Sequence, residues 1–200
     1  MTPRTGLAVL LLAALAAGCA SQPARFYTLT GAAPVTAAAG PSVAVGPVTI
    51  PAVVDRPEMV VTIAPNEVWP DEFNRWAGPL GEAISLALAQ DLAAELRTPR
   101  VTLAAATAAD PEYRVAVEVQ RFESVPGSHA LLDAAWTVRR VRDGTARSGR
   151  TTAREATAGA SYDALAAAHS RALSQLARDT AAALSSLPPA PVPAAPTTAR

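Results

Sequence analysis

Between Leu80 and Leu187 the apolar residues change period twice, and that change confines the fold. Leu80, Ile84, Leu88, Leu92 and Leu96 recur every four residues. This predicts a helix opened by Gly78-Pro79, with proline at the first helical position, and ended by Pro99. Gln90, Asp91, Glu95 and Arg97 are read as its polar surface. Tyr113, Val115, Val117 and Val119 then alternate with Arg114, Ala116, Glu118 and Gln120, the period of a half-buried strand. Pro126-Gly127 and Asp143-Gly144 are turn signals, so Leu131 to Val141 and Arg147 to Glu155 continue as an antiparallel meander. Ser161 suits the N-cap of a second helix whose apolar face runs from Leu165 through His169, Leu173 and Leu176 to Leu187, stopped by Pro188. Two one-faced helices around a meander must cover a sheet.

The earlier chain adds shorter strands. Phe26 to Leu29, Val43 to Ile50, Met59 to Ile63 and Val101 to Leu103 are expected to be extended. Pro47 argues for an edge strand or a bulge. Glu67-Val68-Trp69 continues a hairpin after Pro65-Asn66, and Gly31 to Pro41 reads as a loop. The expected fold class is α/β, α+β-like: a single domain in which a mixed β-sheet with an antiparallel meander carries two long amphipathic helices.

Cys19 is the only cysteine, so no disulfide forms within the chain. It follows Leu15-Ala16-Ala17-Gly18, behind Arg4 and an apolar stretch from Leu7 to Ala17. That stretch fits a secretory signal and falls well short of the roughly 20 residues of a membrane span. This is the layout of a bacterial lipoprotein signal, with Ala16 where leucine is usual. The expected organisation is a signal peptide (1–18), a lipidated linker (19–25), a folded domain (26–187) and a disordered Pro/Ala-rich tail (188–200). Acyl chains on Cys19 would hold the protein to a membrane. Ala20 at the next position, and not aspartate, favours the outer membrane by analogy with enteric sorting.

Charge excludes one class of partner. The 17 basic residues are balanced by 17 acidic ones, and Arg4 leaves with the signal. No basic surplus exists to hold phosphate backbones, so nucleic acid is not expected. Neither a Gly-rich phosphate loop nor a His/Cys/Asp/Glu cluster at metal spacing is present, and no cofactor is expected. His169 is read as an interior histidine on an apolar helix face, and His129 as a solvated turn residue. Ser128 and His129 are adjacent and so are expected to point apart, and no Gly-x-Ser-x-Gly elbow occurs. No catalytic residue is assigned. Trp136 is read as core, whereas Trp69 and Trp76 either pack over the helix start or form a contact surface.

The order of motifs carries a resemblance. A lipobox is followed by Phe26-Tyr27-Thr28-Leu29, Val45-Gly46-Pro47-Val48-Thr49-Ile50-Pro51, Asp55-Arg56-Pro57, Asn66-Glu67-Val68 and Arg75-Trp76-Ala77-Gly78-Pro79-Leu80. This series resembles the PqiC/YmbA family of ABC-type transport auxiliary lipoproteins over about residues 19–187. The resemblance implies a non-catalytic subunit anchored in the outer membrane and facing the periplasm. Its partners would be a mammalian-cell-entry (MCE) type protein that spans the periplasm and the inner-membrane transporter behind it. It would support envelope integrity by completing a lipid conduit, and it leaves room for phospholipid contact and for a homo-oligomer. Pro51, Asp55, Arg56, Asn66, Trp76 and Leu80 match the family pattern, as structural or partner-contact residues. Asp55 and Arg56 are read as a charge-assisted hydrogen bond fixing a turn, with partner contact as the alternative. A stand-alone assembly lipoprotein and a lipid-modifying hydrolase are the competing classes.

Overall fold

The computed structural model describes residues 22–36, 40–104 and 110–188. Cys19, the signal segment, Ala20 and Ser21 of the linker, and the tail beyond Pro188 lie outside them. Eight strands and two helices follow in order: β1 (Arg25–Tyr27), β2 (Val43–Thr49), β3 (Glu58–Ala64), β4 (Glu67–Trp76), α1 (Leu80–Glu95), β5 (Val101–Leu103), β6 (Tyr113–Val125), β7 (His129–Arg140), β8 (Ala146–Ala156) and α2 (Tyr162–Ser185).

The class is α/β with mixed pairing, but the strands divide between two sheets. Strands β5-β2-β6-β7-β8 form one sheet, parallel across β5, β2 and β6 and antiparallel from β6 onward. Strands β1-β4-β3 form a smaller one, in which β1 runs parallel to β4. Helix α2 lies across β7 and β8, α1 across β2 and β5, and the helices pack on each other. One apolar cluster joins these layers, from Met59 and Trp76 through Leu88 and Leu132 to Leu173.

Local chemistry explains the departures from the expected elements. Strand β2 lies between β5 and β6, but β5 pairs only with Val43 to Val45, so Pro47 falls beyond it. Its missing N–H is absorbed by a register shift between Val45 and Val48, the bulge that the proline allowed for. Strand β4 runs on to Trp76, through a stretch whose Pro70 and acidic residues hid it from a propensity reading. Pro79 stands at the N-cap of α1 with extended ψ, one position before the first helical residue, and its carbonyl accepts from the Ala83 amide. Helix α1 ends at Glu95, before Pro99 is reached. There the Thr98 amide donates to Ala93 O and the Arg97 amide to Ala94 O, the paired bonds of a Schellman cap. Arg97 occupies the left-handed position at φ 52°.

Two further departures bear on the core. Asp91 is buried and not part of the polar surface of α1. One of its oxygens accepts from the Ala32 amide at 2.7 Å and the other from the Ser174 hydroxyl at 2.8 Å. It thereby ties the strap after β1 to both helices. In β6 the inward set is Val115, Val117 and Val119, then Phe122 and Ser124. A bulge between Val119 and Arg121 adds one residue, which turns the even-numbered side chains inward from there on. Ser161 caps α2 as expected, its hydroxyl accepting from the Ala164 amide at 3.1 Å.

Candidate functional site

The family-pattern residues separate into a group that meets and two that do not. Asp55, Arg56 and Pro57, from the turn before β3, face Trp76 to Leu80, from the end of β4 and the start of α1, across a groove of about 390 Å³. The Trp76 amide donates to Pro57 O at 2.8 Å, which holds the two walls together. Asn66 is exposed at the β3–β4 turn, the opposite end of the hairpin. Pro51 opens the turn that leads to Asp55, its carbonyl accepting from the Val54 amide at 3.0 Å.

The expected Asp55–Arg56 bond is replaced by a different pairing. Arg56 turns toward Glu58, 3.8 Å away, and Glu58 also receives Arg75 at 3.0 Å. Adjacent residues in this exposed turn diverge, whereas Glu58 and Arg75 are cross-strand partners in register. Asp55 is left on the rim, where it also lines a second recess with Pro79 and Glu82.

The groove floor is continuous with the core. Trp76 is buried, and its ring lies edge-on to Phe122 at 6.2 Å and to His169 at 6.4 Å. Phe122 stacks on His169 at 3.8 Å, nearly parallel. His169 is fully buried, and its Nε2 shares a 2.8 Å bond with the Ser124 hydroxyl, while Nδ1 has no partner. Burial lowers its pKa to about 3, so the ring is neutral. Leu80, also buried, completes the floor. The groove thus has an apolar base under an arginine–carboxylate rim.

Trp69 and Trp76 take opposite roles: Trp76 packs, but Trp69 is 58% exposed. Trp136 is core, donating from Nε1 to Thr151, which donates in turn to Asp179. Gly149 lies under that indole so closely that an added Cβ would come within 2.3 Å of it.

Ser128 and His129 do meet, contrary to expectation, because Ser128 belongs to the turn and not to the strand. Its hydroxyl is 2.9 Å from His129 Nδ1. Arg154 donates to the same nitrogen at 3.1 Å. Partial burial first, and then the Arg154 charge, push the His129 pKa down. A histidine already receiving a guanidinium hydrogen bond is a poor base for the serine beside it.

A second cleft opens where β1 begins, lined by Gln22, Phe26, Tyr27, Phe73 and Tyr162. Tyr162 donates to Asp71 at 2.6 Å, and the amides of Phe73 and Asn74 donate to the other Asp71 oxygen. Burial opposes ionisation of Asp71, but these bonds outweigh it and hold the carboxyl below its usual range. Tyr27 donates to Asn74 at 2.8 Å, completing a latch among β1, β4 and the first turn of α2. The alternation of apolar residues carried no signal for this latch, since its members are polar and distant in sequence.

Among the described residues no group of three or more His, Cys, Asp or Glu could hold a metal ion, and no helix is long and apolar enough to cross a membrane. The fold is a small two-sheet α/β domain with a groove between the turn before β3 and the start of α1. The model for the ABC-type transport auxiliary lipoprotein component matches residues 27–181, and the chain belongs to that family. A crystal structure of an uncharacterized protein is similar at TM-score 0.64 and 16% identity, covering 82% of this chain and 97% of the other. Protein XCC0632 from Xanthomonas campestris, of the DUF330 family, is similar at TM-score 0.62 and 20% identity, covering 78% and 92%. These likenesses show a shared fold. The PelC dodecamer from Paraburkholderia phytofirmans overlaps at TM-score 0.42 and 17% identity, covering 73% and 89%, too weakly to bear on function. No curated protein matches the sequence.

Proposed function

We propose that this protein is a non-catalytic docking subunit of an envelope lipid-transport system, anchored in the outer membrane through acyl chains on Cys19 and facing the periplasm. Its partner is an MCE-type protein that spans the periplasm, and behind it an inner-membrane ABC transporter. The observation that carries this reading is the family match across residues 27–181. The groove between Asp55–Pro57 and Trp76–Leu80 supplies the contact surface: an apolar floor rimmed by Asp55 and Arg56. Arg56, exposed on that rim, is of a residue type enriched at protein interfaces. Docking, not chemistry, is then the function of the domain, and the lipid anchor keeps it where the conduit meets the membrane.

Mild crosslinking in intact cells followed by purification of the protein tests the reading. An MCE-type protein is the expected co-purifying species. Recovery of the folded, membrane-bound protein with components of another outer-membrane machine, or with none of the transport proteins, would overturn it. A Cys19→Ser form is expected to leave the membrane fraction, and unchanged fractionation would remove the anchor.

A further inference from the structure

The far end of the β3–β4 hairpin is unburied and carries apolar side chains. Met59, Val60 and Val61 are buried, but from Thr62 to Trp69 no residue is. Ile63 is 54% exposed, Val68 47% and Trp69 58%. Glu67 is the single charged residue between Thr62 and Pro70. Val68 and Trp69 are successive in β4 and stand on opposite faces, so the tip is apolar on both sides, and exposed apolar surface of this kind marks a contact.

The topology relates this end of the hairpin to the N-terminal segment. Strand β1 runs parallel to β4, with Arg25 beside Asn74 and Tyr27 beside Trp76. Traced back from Arg25, the chain therefore leads toward the start of β4, which is the hairpin tip. Gln22 already lies in a cleft with Phe73, upstream of Asn74. Six positions separate Cys19 from Arg25, an extended reach of about 20 Å. Six also separate Val68 from Asn74, so that reach extends to the level of the tip. The exposed Phe26 and Phe73 lie along the way.

We infer that the hairpin tip, Ile63, Val68 and Trp69, rests in the interfacial layer of the lipid bilayer that holds the acyl chains of Cys19. This rests on the proposed lipidation. Tryptophan suits that layer, with an apolar body and one N–H for the headgroups. The acyl chains already supply affinity. What the hairpin adds is orientation: a tether alone lets the domain tumble, and a second contact fixes its tilt. The docking groove lies at the other end of the same hairpin, since Pro57 precedes β3 and Trp76 ends β4. With the tip on the membrane, the groove is held about 20 Å above it, facing the partner.

Depth-dependent quenching on the acylated, full-length protein tests this. Acylation consumes the native thiol, so Trp69→Cys or Val68→Cys supplies the only site for a fluorescent label, and Glu118→Cys, on the open face of the five-stranded sheet, is the control. Each is reconstituted into phosphatidylethanolamine/phosphatidylglycerol vesicles containing headgroup- or acyl-quenching lipid. Labels at 68 and 69 are expected to be quenched several-fold more strongly than at 118. Equal quenching, on protein shown by mass to be acylated, overturns the hairpin contact and leaves the anchor standing. Crosslinking of the Trp69→Cys form to itself, without quenching, also overturns it in favour of a second copy. A free Cys19 thiol on protein from the membrane fraction overturns the lipidation, and the hairpin contact with it.

Discussion

His169 shows how one buried side chain sets the response of the whole domain to acid. Its folded pKa is about 3, well below the ordinary histidine value of about 6.5, because burial penalises the charged ring. Below pH 6.5 the unfolded chain takes up a proton that the folded one refuses. Stability is therefore full above pH 6.5 and falls as pH drops from there toward 3. The loss between pH 7 and pH 5 from this residue is about 2 kcal/mol. Urea unfolding at both pH values, compared with a His169→Leu form, measures it. The variant should lose less on acidification by about that amount, and an equal loss would show that His169 does not titrate as described. The periodicity of α2 placed this residue inside. Its stacking partner was hidden, because Phe122 turns inward only through the bulge that precedes it.

At the scale of elements, the caps and bulges were less legible than the helices and strands they bound. Period four and period two identified α1, α2 and the meander, since burial on one face forces those patterns. Asp91 broke the rule. It sits on the buried side of α1 because the Ala32 amide and the Ser174 hydroxyl satisfy its carboxylate there, and neither partner is near it in sequence. Arg97 likewise carries no glycine-like signal, yet it holds the left-handed position of the Schellman cap. A non-glycine residue there costs about 1–2 kcal/mol, and added freedom in the unfolded chain returns about 0.4–1 kcal/mol of that on replacement by glycine. Arg97→Gly is therefore expected to raise stability by about 0.5–1 kcal/mol. The urea midpoint should rise with an unchanged slope. A lower midpoint would mean that the exposed Arg97 side chain contributes more than its backbone costs.

At the scale of the molecule, the family-pattern residues were legible in the sequence, but only the topology shows which of them meet. Asp55 and Arg56 lie some twenty residues before Trp76 and Leu80, and nothing in their spacing indicates a groove. The β3–β4 pairing brings them face to face, the Trp76 amide bonded to Pro57 O. The same pairing sends Asn66 to the far end, so the motif series is divided between the two ends of the hairpin. The division into two sheets was not legible either, because β1 joins β4 by a parallel ladder between strands some fifty residues apart, with no local hairpin to signal it. The result is a domain with an apolar hairpin tip at one end of the β3–β4 pair and a polar-rimmed groove at the other.

Site-directed photo-crosslinking tests that arrangement as a docking device. A photoreactive amino acid is placed at Arg56, on the groove rim, and in a second strain at Glu118, on the open face of the five-stranded sheet. Arg56 is expected to capture the MCE-type protein in intact cells, and Glu118 is not. Capture at Glu118 and not at Arg56, or at neither position in folded and membrane-bound protein, would contradict the assignment of the groove as the docking surface.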